Sequence, residues 1–374
     1  MKLTIERATL LKSLGHVQSV VERRNTIPIL SNVLLRAAGG SLSLTATDMD
    51  IEIVDTVDAD ISVEGQVTAP AHTFHDIVRK LPDGAQVEID ATGETLAVVA
   101  GRSRFKLGTL PVEDFPEIGG GELPFRFTVP GTDLREMIEQ TRFAVSTEET
   151  RYYLNGLYFH AADGDHGRVL RSVATDGHRL ARAEIAEPSG AEQMPGVIVP
   201  RKTVNEVHRL IADMPGDVVV SLSDAKIRFS FSTAVLTSKL IDGTFPDYAR
   251  VIPTGNDKTI VLDAKVFASA VDRVSTISSE KSRAVKLAFS SGVMTLSATA
   301  ADAGSAVEEL EIDYDGETFQ IGFNSRYLMD IAAQLGDGHI QFEMSDSGSP
   351  TIIRARSAEG EVGATLYVLM PMRV

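Results

Sequence analysis

The chain has 374 residues, no cysteine and a formal net charge of −16 at pH 7. This length predicts two or three domains, and the lack of cysteine excludes disulfides, thiolate nucleophiles and thiolate metal sites. The longest apolar runs, 96–100 and 366–370, are five residues long, whereas a membrane-spanning helix needs about 20. Because Glu6 places a carboxylate where a signal peptide has apolar residues, we expect a cytoplasmic protein with no membrane partner.

The first predicted elements are a short strand and an amphipathic helix. Apolar residues alternate over residues 3–5 and then fall four apart at Leu10 and Leu14, which indicates a strand leading into one helix face. A second strand at residues 69–71 leads into a helix with apolar positions at Phe74, Ile77 and Leu81. A glycine turn then precedes a strand at residues 87–90.

The same two steps recur twice more along the chain. The first step returns at residues 127–129 and 260–262, followed each time by helix positions at the same spacing. The second step returns at residues 199–201 and 323–325, at offsets of 130 and 124 residues. Two registers kept through three copies predict an α+β chain of three tandem domains, each with two helices and several antiparallel strands. We place these domains at residues 1–120, 126–250 and 253–374.

The positive charge is concentrated in the predicted helices. Lys and Arg exceed Asp and Glu by seven over six helical segments, which leaves −23 for the rest of the chain. Those segments are residues 7–24, 72–80, 133–142, 201–209, 265–283 and 326–330. If the helices share one face, that face suits the phosphates of duplex DNA without reading any base. Ordinary solvated helix faces are the alternative.

The chain contains no catalytic motif with adequate spacing: it lacks a Walker loop, a paired-histidine metal motif, a nucleophile elbow and a dinucleotide fingerprint. Asp48 and Asp50 follow a Thr-rich strand and are better explained as turn carboxylates than as metal ligands. The cluster Thr175-Asp176-Gly177-His178-Arg179 predicts a hairpin turn around Asp-Gly. A hydrolase that uses His178 and Asp176 is a weaker alternative. We therefore predict a protein that is not an enzyme and that needs no cofactor or metal.

Seven motifs carry a family resemblance: Thr26-Ile27-Pro28-Ile29-Leu30, Gly101-Arg102-Ser103-Arg104-Phe105, Arg151-Tyr152-Tyr153-Leu154-Asn155-Gly156, Ala174-Thr175-Asp176-Gly177-His178-Arg179-Leu180, Val199-Pro200-Arg201-Lys202, Phe245-Pro246-Asp247-Tyr248 and Met370-Pro371-Met372-Arg373-Val374. Together they resemble the β subunit of bacterial DNA polymerase III, the β sliding clamp family, over the whole chain. The resemblance implies a head-to-tail homodimer that closes a ring of six domains, with helices lining the hole and sheets outside. It also implies a processivity factor that encircles duplex DNA and holds polymerases on it.

The resemblance further implies which side chains approach DNA. These are Arg24, Tyr152 and Tyr153, with electrostatic support from Lys12, Arg79, Lys80, Arg201 and Lys202. Glu148 is a departure, because relatives can carry a neutral DNA-contacting side chain at that position. Packing in the core or at a sheet edge is the alternative for either tyrosine. For the chain as a whole, the alternative is a repeat-built scaffold that binds only proteins.

In this family, partners bind through a short linear peptide in a groove between the second and third domains. The matching residues here are Arg151, Leu154, Thr175, Gly177, His178, Arg179, Leu180, Pro246, Arg250, Val251, Asn324, Tyr327, Val368, Met370, Pro371, Met372 and Arg373. Apolar and methionine side chains suit varied hydrophobic anchors, while His178, Arg179 and Arg373 suit polar or carboxylate groups. Leu154 and Val251 could instead be plain core residues.

The partners implied for the groove are DNA polymerase subunits, the clamp loader and repair factors. Any ATP chemistry of loading must belong to the loader, because this chain has no nucleotide motif. Ser282 stands where relatives often have an aromatic residue, which predicts a more open rim, and residues 371–374 are expected to be ordered.

The implied dimer interface joins Phe105 and Leu107 of one protomer to Ile277 of the other. Thr276 stands where relatives can be aliphatic, so this seam is expected to be less apolar. Pairing of strand edges across protomers would remove an exposed edge, which gives the ring a physical reason to close.

Overall fold

A computed structural model of the chain describes residues 1–118, 120–278, 283–336, 338–357 and 359–373. Ser282 lies outside the described residues, so the expectation about the groove rim is not addressed by the structure. Within the described ranges the chain has six α-helices and 25 β-strands, an α+β composition. It forms two compact units, the first made of Met1–Arg135, Pro188–Pro195 and Lys202–Leu240, the second of Glu136–Glu187, Gly196–Arg201 and Ile241–Val374.

The three copies of the repeat contain the same series of elements. The first copy has β1 (Lys2–Glu6), α1 (Arg7–Gln18), β2 (Asn32–Ala38), β3 (Ser41–Thr47), β4 (Ile51–Asp58), β5 (Asp60–Val63), β6 (Gly65–Pro70), α2 (Ala71–Lys80), β7 (Gln86–Thr92), β8 (Thr95–Ala100) and β9 (Ser103–Gly108). The second has β10 (Phe125–Pro130), α3 (Gly131–Arg142), β11 (Gly156–Gly164), β12 (Gly167–Thr175), β13 (Arg179–Ala186), β14 (Val197–Pro200), α4 (Arg201–Asp213), β15 (Asp217–Leu222), β16 (Lys226–Ser230) and β17 (Ala234–Lys239).

The third copy has β18 (Lys258–Asp263), α5 (Ala264–Ser275), β19 (Ala284–Ser290), β20 (Val293–Ala300), β21 (Gly304–Glu311), β22 (Phe319–Asn324), α6 (Ser325–Ala332), β23 (His339–Met344), β24 (Thr351–Arg356) and β25 (Leu366–Leu369). Short 3₁₀ turns lie at Pro28–Ser31, Val112–Asp114, Glu149–Leu154 and Tyr248–Val251. No helix within the described residues is long and apolar enough to cross a membrane.

The predicted strand-to-helix steps are confirmed in all three copies, but two helices are shorter than the predicted segments 7–24 and 265–283, since α1 ends at Gln18 and α5 at Ser275. Ala71, Arg201 and Ser325, which were predicted as the last strand residues, instead begin helices. Leu81, predicted as a helix position, lies just past the end of α2 because Pro82 disfavours helical geometry in the residue before it. Its counterpart Leu335 likewise lies beyond α6, and both side chains remain buried.

Each helix starts where a side chain or a proline ends the preceding strand. Glu6 accepts a hydrogen bond from the backbone N–H of Thr9 at 2.9 Å, and Asp263 accepts one from Val266 at 2.8 Å. A carboxylate at the N-cap satisfies a free N–H and lies at the positive end of the helix dipole. In α1 the buried face is formed by Leu10, Leu14 and its neighbours, the period that the sequence predicted.

The sheets join successive copies of the repeat. The first unit holds a five-stranded sheet, β5-β1-β7-β8-β9, and an eight-stranded sheet, β10-β15-β16-β17-β4-β3-β2-β6. The second unit holds an eight-stranded sheet, β14-β11-β12-β13-β25-β24-β23-β18, and a four-stranded sheet, β21-β20-β19-β22. Each eight-stranded sheet therefore contains a seam where strands of two copies pair: β4 with β17, and β13 with β25.

A buried hydrogen bond between a histidine and a carboxylate lies beside the β4–β17 seam. His16 donates through Nδ1 to Asp55 of β4 at 2.7 Å, and both side chains are almost fully buried. Burial alone would raise the pKa of the Asp55 carboxyl, but the interaction with His16 helps to hold that pKa below its usual value. The hydrogen bond ties α1 to β4 beside the seam.

Candidate functional site

A groove of about 310 Å³ opens on the second unit. It is lined by Arg151, Tyr153, Leu154, Thr175, Gly177, Arg179, Leu180, Pro246, Asp247, Tyr248, Val251, Val368 and Met370. Beneath these residues lies a buried apolar cluster to which the lining residues Leu154, Leu180 and Val368 belong. Most of the groove wall is apolar and the rim carries charged and aromatic groups, which suits a ligand that inserts hydrophobic side chains.

The hairpin turn between β12 and β13 builds one side of the groove. Asp176 Oδ1 accepts hydrogen bonds from the backbone N–H groups of His178 and Arg179 at 2.9 and 3.0 Å, and Thr175 donates to the carbonyl of Arg179 at 2.7 Å. Gly177 supplies the φ of +89° that the turn requires. The predicted turn is confirmed. The oxygens of Asp176 accept hydrogen bonds from the backbone and from the Arg179 side chain, not from the His178 side chain.

The first copy contains the equivalent turn, and it confirms the interpretation of Asp48 as a turn carboxylate. Asp48 Oδ1 accepts from the backbone N–H groups of Asp50 and Ile51 at 2.9 and 2.8 Å. Met49 takes the position of Gly177 with a φ of +77°. The second carboxylate oxygen of Asp48 contacts Lys202 Nζ at 2.5 Å, which fastens the turn to α4.

Arg179 lines the groove, but its guanidinium already forms hydrogen bonds with other groups of the protein. Nη1 donates to Asp330 at 2.6 Å, Nε to Asp176 at 3.1 Å and Nη2 to the carbonyl of Phe143 at 2.8 Å. The guanidinium also lies over the rings of Phe143 and Tyr327, at 5.0 and 4.4 Å from their centroids. Only 9 % of the side chain is exposed, so Arg179 shapes the groove wall and leaves polar recognition to more exposed neighbours.

Of the seventeen groove residues that the resemblance implied, ten line this cavity. His178 lies exposed beside it and stacks on Tyr327, with ring centroids 6.2 Å apart, while Arg250 pairs with Asp247 on the rim. Asn324 caps α6 through its side chain.

The C-terminal groove residues lie elsewhere on the same unit. Pro371, Met372 and Arg373 line a second cavity of about 860 Å³ together with Gly322 and Lys258. Met372 donates its backbone N–H to Gly322 at 2.8 Å, so the predicted order of this segment is confirmed for residue 372. Val374 lies outside the described residues.

Three lining residues were missed by the sequence interpretation of the groove: Tyr153, Asp247 and Tyr248. Tyr153 had been assigned to DNA, but it packs against the apolar cluster under the groove. Asp247 and Tyr248 lie within a quoted motif, Phe245-Pro246-Asp247-Tyr248, and the proline before them was the signal that this segment leaves the sheet as a turn.

The basic residues predicted to approach DNA differ in whether their side chains already bond other groups of the protein. Arg24, Lys12, Lys80 and Arg201 are exposed, and none of the four forms a side-chain hydrogen bond or ion pair with another described residue. Arg79 pairs with Asp76 at 3.0 Å on the exposed face of α2. Lys202 is the most committed, because its Nζ also contacts Glu22 at 3.4 Å and the carbonyl of Val20 at 3.2 Å. The unpaired cations are thus fewer than the sequence count indicated.

Tyr152 and Tyr153 lie in different surroundings, Tyr152 outside the groove and Tyr153 in its lining. Tyr152 is 53 % exposed, whereas Tyr153 is half-buried, and their rings meet edge to face at 5.7 Å. Glu148, the departure noted above, is exposed and pairs with Arg151 at 3.3 Å. Tyr152 is therefore the tyrosine available to a ligand outside the groove.

Two of the predicted dimer residues, Phe105 and Leu107, lie on an edge strand, and the third, Ile277, follows a helix. Phe105 is half-buried on β9, the edge strand of its sheet, beside a cavity of about 360 Å³ that is also lined by Ile77 and Leu81. Leu107 is buried in the same strand, and Ile277 follows the end of α5 half-buried. These positions leave Phe105 and Ile277 with surface to contribute to an interface.

Three tandem α+β copies joined by shared sheets, with an apolar groove on one seam, define a clamp-type architecture. Comparisons with known proteins agree over the full length. The chain matches the N-terminal, central and C-terminal domains of the DNA polymerase III beta subunit over residues 1–119, 128–247 and 249–373. It therefore belongs to the DNA polymerase III beta subunit family, as the sequence resemblance predicted.

Individual relatives support the same family. A beta sliding clamp of Caulobacter vibrioides is 56% identical over 376 residues and covers 100% of both chains. A crystal structure of the C. crescentus beta sliding clamp has a TM-score of 0.96 and 56% identity, covering 100% of this chain and 99% of that one. A sliding clamp from Bartonella birtlesii, solved bound to griselimycin, has a TM-score of 0.96 and 49% identity, covering 100% of both chains.

Proposed function

We propose that two copies of this chain close head to tail into a ring around duplex DNA and tether DNA polymerases to it. The ring is a non-catalytic processivity factor that works in the cytoplasm, and its domains are residues 1–120, 126–250 and 253–374. The observation that supports this proposal is that two sheets each end in a strand with one unpaired edge. Among the described strands, β9 and β21 are each the last strand of their sheet, at the positions where the other copies form seams.

The two internal seams predict how these edges would pair. At the centres of the seams, the paired residues are Ile53 with Leu236 and Ala181 with Tyr367. Pairing with the neighbouring strand shows which residues are equivalent in the different copies. Phe105 pairs with Val98 of β8 in the way that Leu236 pairs with Phe229, so Phe105 is the equivalent of Leu236. Ala306 pairs with Ala298 of β20 in the way that Ile53 pairs with Ala46, so Ala306 is the equivalent of Ile53. The same geometry therefore places Phe105 of one protomer opposite Ala306 of the next, and Arg104 opposite Val307.

The charges on the two edges are complementary. β9 carries Arg104 and Lys106, whereas β21 carries Glu308, Glu309 and Glu311. In the register above, Arg104 lies diagonally across from Glu309, close enough for cross-strand attraction. Val307, 66 % exposed, would also be covered by a second strand. An exposed edge with these features favours a second copy of this chain as its occupant.

Duplex DNA is the second partner, held by enclosure and without base recognition. Arg24, Lys12, Lys80 and Arg201 offer free cations, Arg79 and Lys202 give weaker support because they are partly neutralised, and Tyr152 offers an exposed ring. Phosphate contacts of this kind release counterions and depend on salt, but they carry no sequence information, so the ring can slide. We assign Tyr153 to the groove rather than to DNA.

The groove is the third element of the proposal. Its apolar floor and adaptable Met370 suit short linear peptides of DNA polymerase subunits, the clamp loader and repair factors. A polymerase attached there stays near its primer end at high effective concentration, so dissociation becomes fast rebinding. Two relatives solved with griselimycin supply a compound with which the groove can be probed.

Retention on circular DNA tests the enclosure mechanism. Protein loaded by a clamp loader onto a nicked circle should stay on it through gel filtration at high salt and should leave when the circle is cut to a linear form. A protein held by surface charge alone would be lost from both forms at high salt. Equal retention on circular and linear DNA would contradict the proposal.

Charge reversal at Arg24 and Arg201 tests the proposed DNA-facing role of the cations. We expect Arg24→Glu combined with Arg201→Glu to lower the slope of log affinity against log salt by about 2, since each lost phosphate contact removes about 1. Arg36→Glu, an exposed change on β2, is the matched control and should leave the slope unchanged. If the double variant behaves like the control, a scaffold that binds only proteins becomes the better explanation.

A further inference from the structure

A row of aromatic rings runs under one wall of the groove. Phe245, in the buried cluster, stacks on Tyr158 at 4.8 Å, and Tyr158 stacks on His160 at 4.7 Å. The His160 ring in turn lies 5.7 Å from that of Tyr248, which lines the groove. His160 itself is not among the lining residues, so its influence on a ligand is indirect, and Tyr248 is the lining residue that it contacts.

The hydrogen bonds in this row have one consistent direction. His160 Nδ1 lies 3.0 Å from the carbonyl of Ala161, which can only accept, so Nδ1 carries the proton. Burial, with a smaller contribution from Arg171, lowers the pKa of His160 and favours the neutral ring. Nε2 is then an acceptor, and the Tyr248 hydroxyl, 2.9 Å away, donates to it.

Arg171 completes the arrangement from the other side. Its Nη1 donates to the Tyr248 hydroxyl at 3.1 Å, so the phenol oxygen both accepts and donates. Arg171 is itself held by Glu184, a nearly buried carboxylate, through Nε at 3.0 Å, and by the carbonyl of Asp163. Neither partner of Tyr248 is therefore free to move away from it.

The wall that Tyr248 belongs to has little support of its own. It is a 3₁₀ turn of four residues, Tyr248–Val251, preceded by Pro246, and its internal backbone bonds run from Arg250 to Asp247 and from Ile252 to Ala249 at 3.3 and 3.4 Å. Such long bonds in a short turn give weak rigidity. Apolar packing of Phe245, Tyr248 and Ile252 in or against the buried cluster holds this wall, and the phenol oxygen of Tyr248 adds hydrogen bonds that fix the ring to β11 and β12.

We propose that His160 and Arg171 are positioning residues for the groove: they hold the Tyr248 ring in place through its hydroxyl and thereby set the affinity of the groove for apolar ligand side chains. The proposal rests on the groove being the ligand site of the proposed function. It predicts that His160, a residue which no groove ligand can touch, affects ligand affinity.

The test measures griselimycin binding by isothermal titration calorimetry. Tyr248→Phe keeps the ring and removes only the hydroxyl, which bonds both His160 and Arg171, so we expect affinity to fall about three- to tenfold. Tyr314→Phe is the matched control, because it removes a hydroxyl that donates to Glu317 at 2.7 Å outside the groove. It should bind like the unmodified protein.

A second pair of variants separates positioning from direct contact. His160→Gln retains an acceptor for the Tyr248 hydroxyl and His160→Leu does not, while both lose the stacked ring. We expect the glutamine variant to bind more tightly than the leucine variant, at similar melting temperatures. A long-range proton–nitrogen NMR spectrum should show His160 protonated on Nδ1, with its Nε2 resonance shifted in Tyr248→Phe.

The outcomes are distinct. Equal binding by Tyr248→Phe and the unmodified protein, equal binding by the two His160 variants, or a proton on Nε2 would each overturn the positioning role while leaving the groove function intact. If the unmodified protein does not bind griselimycin at all, the assignment of the groove as ligand site fails first, and the positioning proposal falls with it.

Discussion

Replacing Phe105 with aspartate should convert the dimer into a monomer of 40.3 kDa and abolish retention on circular DNA. In the proposed seam, Phe105 lies opposite the small Ala306 and contributes its ring to the interface. The substitution removes that apolar contact and places a carboxylate where a second strand excludes water. We expect a loss of about 4 kcal/mol of association free energy, on the order of a thousandfold in the dimer dissociation constant. Light scattering over a range of concentrations measures it directly.

The control for this prediction lies on the other edge of the same sheet. Val63 on β5 is 53 % exposed, and Val63→Asp makes the same kind of change outside the proposed seam. That variant should remain dimeric. Because Phe105 is only half-buried in the protomer, the Phe105→Asp protein should remain folded, with a melting temperature close to that of Val63→Asp. A Phe105→Asp protein that still has twice the monomer mass would show that β9 does not form the seam.

Replacing Arg179 with leucine should produce the largest loss of protomer stability among groove substitutions. The guanidinium bonds two carboxylates and a carbonyl, and removal would leave the partly buried Asp176 without its charge partner. Breaking a buried pair costs about 3–5 kcal/mol, and the partial exposure of Asp330 reduces this, so we expect about 2–4 kcal/mol less free energy of unfolding. Binding of the proposed groove ligand should weaken as well, because the hairpin side of the groove loses its anchor to Phe143.

Arg79→Leu is the matched control for that substitution. Arg79 also contacts a carboxylate, Asp76 at 3.0 Å, but both side chains are more than half exposed. An ion pair of this kind is worth under about 1 kcal/mol. Urea denaturation of both variants gives the comparison. Similar losses of stability in the two proteins would mean that the Arg179 contacts do not act as a buried network.

The relation between the two hairpin turns explains why one repeat supports different surfaces. Asp48 and Asp176 both accept backbone N–H groups in the same pattern. Their second oxygens differ in partner: Asp48 holds Lys202 of α4, whereas Asp176 holds Arg179 of its own turn. The first turn thus uses its charge to fasten a helix, and the second uses it to shape the groove wall.

The sequence by itself determined the repeat, the α+β class and most element positions. These features follow from local rules, since an apolar period of two or of 3.6 and a glycine turn act over a few neighbouring residues. The same holds for the turn at Thr175-Asp176-Gly177, where side chains bond their own backbone. The errors at Leu81 and Leu335 lie at helix ends, where one proline or glycine outweighs the apolar period.

Only the tertiary structure decided which charged and aromatic side chains are free. Lys202 and Arg179 are in the sequence simply basic residues, but folding brings carboxylates from distant positions, Asp48 and Asp330, into contact with them. Likewise, Tyr152 and Tyr153 are adjacent in the chain, yet one faces solvent and the other the groove. Desolvation and hydrogen-bond partners depend on contacts between residues far apart in sequence, and no local pattern specifies them.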